Sequence, residues 1–390
     1  MAKIANVFNF VGQLKPTKDN TLKEVISNNW FGKNYQFSLI NDDGNHFIKA
    51  FGGDMKKGGK FEDRVIKLDE DNSITIPYDK RHNEELLAKV PNKYKSVVKL
   101  LDGTYEFLYQ NDFIEFIYAQ LPNWSNKHFK VRGKVGFSLS QDKKTVYKEF
   151  TPNYIEEITE EDYGKVKNKS LMDLQLYYDS NCIPQDLIAS NGDISVPTIT
   201  DMGCKIVVSA YVEQRNSDKK TKDAIPIIHL PIDITIDFSK YDFSNERHRK
   251  MAKMILRNFV VQGDNVYTSC WSMKDKNVQE KREYTEDELN EMLTPEEKEA
   301  MELFGLTLES VIRNKTGEAV YGERIREVKI MQPHPAMIIK EVDETVTQMS
   351  FEVYKTLGME DDTQEVVATK APEEKKEGAL SLSEFDDLMD

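Results

Sequence analysis

His128-Phe-Lys-Val-Arg-Gly-Lys-Val-Gly-Phe-Ser-Leu139 alternates between charged and apolar side chains. Successive residues of a strand point to opposite faces, so Lys130, Arg132 and Lys134 share one face while Phe129, Val131 and Val135 share the other. One face is charged and open; the other fits a core. Gln141-Asp-Lys-Lys144 turns the chain and Thr145 to Phe150 runs back, which predicts a hairpin followed by a strand at Tyr154 to Ile158. From Lys127 to Lys148 the only acid is Asp142, against Lys127, Lys130, Arg132, Lys134, Lys143, Lys144 and Lys148, with Trp124, Phe129, Phe137 and Tyr147 among them.

Upstream, the first eighty residues read as short strands at Ile4–Leu14, Tyr35–Ile40, His46–Phe51, Val65–Leu68 and Ser73–Pro77. Asn41-Asp-Asp-Gly-Asn45 has hairpin chemistry, because Asp-Gly supplies the positive φ of tight turns. Asn83 to Leu101 is expected to be helical with Pro91 dividing it, and Asp112 to Leu121 is expected as a helix with Asp112 as N-cap. After Pro122 the strand pattern returns, so a second β unit is expected to begin there.

Downstream, strands are expected at Leu171–Tyr178, Lys205–Val212, Ile225–Leu230 and Ile232–Phe238, with Asn216–Asp223 as a polar hairpin tip. Phe243 to Val261 reads as a basic amphipathic helix, with Arg247, Arg249, Lys250, Lys253 and Arg257 beside Met251, Met254, Ile255 and Leu256. Thr285/Glu288 and Thr294/Glu297 have capping-box spacing, Pro295 stands at a first helical position and Gly305 at a C-terminus. Tyr321–Met331 is expected as a return strand and Glu341–Leu357 as a last helix. From Met359 to Asp390 eleven acidic side chains face only Lys370, Lys375 and Lys376, a composition that cannot bury enough apolar surface to offset ordering entropy. The expected organisation is therefore a β-rich α+β chain: residues 1–122 as one small β domain with a helical extension, 123–357 as a second with a helical C-terminal part, and 358–390 as a disordered acidic tail.

The formal net charge of −14 argues against uniform positive potential, so segregated patches matter more than the sum. Cys182, Cys204 and Cys270 are far apart and odd in number, which fits a reducing compartment, and no run approaches a membrane span, so a cytoplasmic location is expected. No Cys-x-x-Cys, His-Glu-x-x-His or clustered histidines occur; no metal, cofactor or catalytic constellation is expected. Gly53 to Lys60 is too loose to be a phosphate loop.

What remains is cations interleaved with aromatics on strands. Single-stranded nucleic acid asks for both: phosphates meet cations, and unstacked bases gain about 1–3 kcal/mol each on aromatic rings. The order Ala119-Gln-Leu-Pro-Asn-Trp124, Phe129-Lys-Val-Arg-Gly-Lys-Val135 and Val146-Tyr-Lys-Glu-Phe150 resembles OB-fold proteins that bacteriophages encode for replication, as does the start Phe8-Asn-Phe-Val-Gly12. The tail is similar to those of phage and bacterial single-stranded DNA-binding proteins. The resemblance implies tandem OB-like barrels, with Gly12 in the bent first strand of one and Gly133 or Gly136 in that of the other. It also implies sequence-independent binding of single-stranded DNA in phage replication or recombination. Trp30, Tyr35, Phe37, Trp124 and Tyr147 would then stack bases, while Lys49, Lys56, Lys57, Lys130, Arg132, Lys134, Lys143 and Lys144 meet phosphates. Phe385, Asp386, Asp387, Leu388 and Met389 would recruit replication or recombination proteins. The alternatives are a phage structural or host-takeover interaction protein with no nucleic-acid affinity, and a nuclease or polymerase accessory enzyme.

Overall fold

Phe8, Phe10 and Leu14 are buried on one side of β1 (Val7–Pro16), which pairs with three later strands. The computed structural model describes residues 6–27, 29–140, 145–215, 226–263, 265–281, 293–305, 311, 321–333 and 341–342. The tail residues Phe385, Asp386, Asp387, Leu388 and Met389 and the turn residues Lys143 and Lys144 lie outside them, as do the expected hairpin tip Asn216–Asp223 and the capping pair Thr285/Glu288.

β2 (Lys23–Ser27), β3 (Trp30–Asn41) and β4 (Gly44–Lys57) follow β1. The β3–β4 hairpin closes at Asn41↔Gly44 with Gly44 at φ 117°, as the Asp-Gly chemistry predicts. Next come β5 (Lys60–Phe61), the two-stranded pair β6 (Arg64–Lys67) and β7 (Ser73–Ile76), and the single turn α1 (Glu84–Leu87). A small separate core of Ile66, Ile76, Leu87, Val90, Leu108 and Tyr109 holds this insertion together. β8 (Ser96–Leu100) and β9 (Gly103–Phe107) precede α2 (Gln110–Gln120), β10 (His128–Leu139) and β11 (Val146–Ile158).

Two expectations fail here for local reasons. Helix does not extend across Asn83–Leu101: Pro91 stops it, and the β-branched Val97 and Val98 pair with β11, where Val98 is fully buried. Asp112 is not the cap of α2; Tyr109 holds that position, and Asp112 sits in the first turn, 2.8 Å from Arg81.

β1 pairs with β3, β3 with β4, β4 in parallel with β11, β11 with β10, and β10 returns to β1. Five strands thus form a closed circuit running from Val7 to Ile158, with α2 between its third and fourth strands. β10 and β11 complete the first β unit rather than opening a second, so the expected boundary at 122/123 falls inside it. Pro122 follows a helix and reads as a linker in sequence, but the register Val7↔Lys134 to Gln13↔His128 pairs residues more than a hundred positions apart. Gly12 lies where expected: a Cβ there would overlap the Ile40 carbonyl oxygen. Gly133 is in the fourth strand instead of a first one. It follows a register shift after Arg132, and a Cβ on it would overlap the Thr151 carbonyl oxygen and the Phe8 ring.

The chain continues through α3 (Glu160–Lys165), β12 (Ser170–Tyr178), α4 (Val196–Asp201), β13 (Lys205–Arg215), β14 (Ile227–Asp237) and α5 (Glu246–Arg257). It ends in β15 (Tyr267–Lys281), β16 (Tyr321–Pro333) and β17 (Glu341–Val342), where a helix had been expected to start. β12 pairs with β13, β13 with β14, β14 in parallel with β16, β16 with β15, and β15 returns to β12. The strand order and the helix position repeat those of the first circuit. The described residues form two compact units: those up to Asp275 together with those from Glu327 on, which hold the first circuit and most of the second, and those from Lys276 to Arg326, which include the end of β15 and the start of β16. The latter contains the helix Pro295–Phe304, with the predicted Thr294/Glu297 capping box and a left-handed Gly305 at its end.

One polar chain is buried in the first unit. Asn41 Nδ2 donates to Val11 O and to Ser170 Oγ, both at 2.9 Å, and Ser170 Oγ lies 2.9 Å from His46 Nε2. His46 Nδ1 lies 3.0 Å from Asp275, whose other oxygen bonds Lys148. Burial pushes the Asp275 carboxyl up, but Lys148 and His46 outweigh it and hold the group below its ordinary value.

Gly133→Ala is expected to lower the urea midpoint by an overpacking cost of about 1–3 kcal/mol. Gly136→Ala, whose Cβ would meet nothing closer than 3.9 Å, serves as the near-neutral control. For Asp275 the folded pKa lies below the reference value of 3.8, so its contribution is complete above about pH 4 and is lost as pH falls through the folded value. Unfolding curves from pH 7 to acid are expected to show a shallower acid limb in Asp275→Asn than in the parent. That variant should also lose about 3 kcal/mol at neutral pH, because Lys148 loses its charged partner; identical acid limbs would refute the assignment.

Candidate nucleic-acid interface

Alternation along β3 and β4 sends Tyr35, Phe37 and Leu39 inward with Ile48 and Ala50, and leaves the register pairs Trp30↔Met55, Gly32↔Gly53, Asn34↔Phe51 and Gln36↔Lys49 on the outer face. The Trp30 ring lies across the paired glycines, since a Cβ on either Gly32 or Gly53 would overlap it. Only glycine allows that ring to rest on the sheet. Its centroid is 5.8 Å from the Phe51 ring, Phe51 is 41% exposed and Met55 49%. Lys49 lies 5.7 Å from the Phe51 centroid and 3.5 Å from Glu149.

The far end of the hairpin carries a second aromatic group. Lys56 sits 4.1 Å from the Phe31 ring and 4.5 Å from that of Phe61. Phe61 stacks on Tyr78 at 4.5 Å, and Arg81 lies 4.0 Å from Tyr78. Asn111 braces the strand by donating to Phe31 O and, at 2.9 Å, to Asp54, which also bonds Arg64 at 2.8 Å. Burial pushes the Asp54 carboxyl up despite Arg64. Lys57 is exposed where Gly58 and Gly59, at φ 57° and 81°, turn the chain into β5.

On β10 and β11 the outer pairs are Lys130↔Glu156, Arg132↔Tyr154, Lys134↔Thr151, Gly136↔Glu149 and Ser138↔Tyr147. Arg132 lies 5.1 Å from the Tyr154 ring. Burial raises the Glu156 carboxyl, yet Lys99 at 2.9 Å, Tyr154 and Lys130 hold it below its ordinary value. Glu149 accepts from Ser138 Oγ at 3.1 Å and meets Lys49, joining the outer faces of β11 and β4 where those strands pair. Trp30, Phe51, Lys49, Tyr147, Lys134 and Arg132 therefore lie on one continuous outer surface of the first circuit.

Several expected site residues are not part of it. Tyr35, Phe37 and Trp124 are buried in the core and cannot stack bases. Tyr35 donates to Asn20 at 2.8 Å, and burial pushes its phenol up to about 12; Trp124 packs 4.9 Å from Phe129. Their inward parity fills the barrel, and composition alone did not reveal it. Lys49, Lys56, Lys57, Lys130, Arg132, Lys134 and half-buried Tyr147 are brought to the surface. Phe51, Phe61, Tyr78 and Tyr154 were missed as site residues. The available signal was Trp30-Phe-Gly32 set against Gly52-Gly53, two glycines in register beneath a tryptophan.

The corresponding face of the second circuit differs in kind. There Lys205↔Asp237, Val207↔Thr235 and Ser209↔Asp233 face outward; Asp233 accepts from Ser209 at 2.9 Å, and Asp237 takes Lys329 at 2.9 Å. It mixes Lys205 and Lys329 with Asp233 and Asp237 and carries no counterpart of the Trp30 and Phe51 rings on those pairs. Among the described residues no group of His, Cys, Asp and Glu forms a metal site, and no helix is long and apolar enough to cross a membrane.

No family model and no curated protein matches the chain. Among solved structures, a similar chain is a deletion mutant of the single-stranded DNA binding protein from Thermus aquaticus. It shows 8% sequence identity and a TM-score of 0.23, over 71% of this chain and 89% of that one. A likeness of that size carries no argument.

Phe37→Ala is expected to destabilise the fold by about 3–5 kcal/mol through the cavity it leaves, whereas Lys57→Ala, exposed at a turn, should stay within about 0.5 kcal/mol. Urea unfolding followed by circular dichroism separates the two classes.

Proposed function

We propose that this protein binds single-stranded DNA without reading its sequence and without catalysing a reaction on it. The observation that carries the reading is Trp30 resting on Gly32 and Gly53 beside Lys49 and exposed Phe51, with Lys57 exposed at the end of the same strand face. Bases stack on such rings whatever their identity, and phosphates meet the cations. Strand pairing supports reading both circuits as OB-type barrels, Val7 to Ile158 and Ser170 to Pro333. In each, the strands close in the order first, second, third, fifth, fourth, with a helix before the fourth. OB barrels use the face of their second and third strands for oligonucleotides, and β3–β4 is that face. In this reading binding belongs to the first barrel, because among the described residues the β13–β14 face offers no ring seated like Trp30 and its Asp237 already holds Lys329. The sequence resemblance supports a role in phage replication or recombination, with Phe385, Asp386, Asp387, Leu388 and Met389 recruiting partner proteins.

Trp124 and Trp271 are buried, so Trp30 is the half-exposed reporter among the three tryptophans. Titration with oligo-dT is expected to change tryptophan fluorescence. The affinity should fall with log salt at a slope near −0.7 per phosphate neutralised. Trp30→Phe should remove most of the signal, and Phe51→Ala should weaken binding by about 1–3 kcal/mol. Absence of binding at low salt would end the proposal in favour of a protein-binding role.

A further inference from the structure

Glu149 is a carboxylate in the path proposed above for a polyanion. It stands on the outer face of β11 opposite Gly136, which brings no cation of its own. Its partner comes from another strand: Lys49 of β4, beside the Ile48↔Phe150 bridge where β4 and β11 close the first circuit. Glu149 Oε1 lies 3.5 Å from Lys49 Nζ and accepts from Ser138 Oγ at 3.1 Å. The lysine also lies against Phe51, 5.7 Å from the ring centroid. β4 and β11 run parallel, so Phe51, two residues beyond Lys49, and Tyr147, two residues before Glu149, lie on opposite sides of the ion pair. A DNA strand that reaches both rings crosses it.

The two side chains are 28% and 29% exposed. Salt screens a pair in that position less than an open one, while a ligand still reaches it. The carboxylate gives Lys49 what a phosphate would give it. A phosphate that takes the lysine leaves Glu149 beside a like charge, which opposes binding. Resting on the DNA-binding reading, we infer that Glu149 competes internally with phosphate for Lys49 and so holds down the affinity of the first circuit for single-stranded DNA. If the carboxylate instead held Lys49 ready for phosphate, its removal would weaken binding, so the two roles differ in sign.

The test is oligo-dT affinity of the full-length protein across salt concentrations, for the parent and for Glu149→Gln, which removes the charge and keeps an acceptor for Ser138. Glu161→Gln controls for net charge, since that side chain is 80% exposed on α3 and pairs with Lys165. Glu149→Gln is expected to steepen the salt slope by about 0.7, one further phosphate neutralised, which tightens binding about eightfold near about 50 mM salt and about threefold near about 200 mM. Glu161→Gln is expected to leave the slope alone, and both variants should keep the parent's urea midpoint. In a Lys49→Gln background, Glu149→Gln should no longer steepen the slope. The role of Glu149 is overturned if its removal weakens binding, leaves the slope unchanged, or acts equally with and without Lys49. A parent that binds while Glu149→Gln changes nothing sinks this role alone; a parent that does not bind ends the DNA-binding reading with it.

Discussion

β1 has one backbone and three neighbours. One edge pairs with β10 from Val7 to Gln13, while the other edge pairs with β12 from Val7 to Phe10 and with β3 from Gln13 to Pro16. At the changeover the ladder would leave unpaired groups, which are costly when buried. Val11 solves this by donating to Lys169 O at 2.7 Å and accepting from Asn41 Nδ2. Gly12 gives the clearance that lets the strand pass the Ile40 carbonyl. The same Asn41 begins the buried chain through Ser170 and His46 to Asp275 and Lys148. That chain ties β3, β4 and β11 of the first circuit to β12 and β15 of the second. Both circuits thus depend on one strand being satisfied on both edges along its length.

Closure of the first circuit decides which aromatics are available. Once β1, β3, β4, β11 and β10 curl around Phe8, Phe37, Val98 and Phe129, alternate residues of each strand are committed to the core. Rings of outward parity remain, and Trp30 can lie against the sheet because Gly32 and Gly53 face each other in register. A ring held that way loses little further freedom when a base stacks on it, so less of the gain is spent on ordering.

The alternation of β10 and part of the turn and cap chemistry were legible in the sequence; pairing was not. The alternation around Lys130, Arg132 and Lys134 gave their outward face correctly, and the Thr294/Glu297 box and the Asp-Gly hairpin follow from short-range chemistry, whereas Gly12 was expected from the family resemblance. Tyr35, Phe37 and Trp124 carry the same composition signal as Trp30 and Phe51, and only the register of β3 against β4 and the packing of Trp124 on Phe129 separate them. The boundary at Pro122 was misplaced because β10 finds its partner β1 across the whole first unit, a relation that no local window contains. Val97 and Val98 became a strand because a parallel partner, β11, was there to receive them.

The overall charge of −14 bears on this arrangement. Cations concentrate on the outer faces of β4 and β10 and at the β5 turn, while the equivalent face of the second circuit balances Asp233 and Asp237 against Lys205 and Lys329. Under the proposed function a polyanion would be drawn to the cationic region against an overall negative charge. Within the basic region half-buried Glu149 and Glu156 hold Lys49 and Lys99 at defined positions. The basic surface is therefore ordered by its own ion pairs, and under the proposed function a phosphate would have to exchange with them.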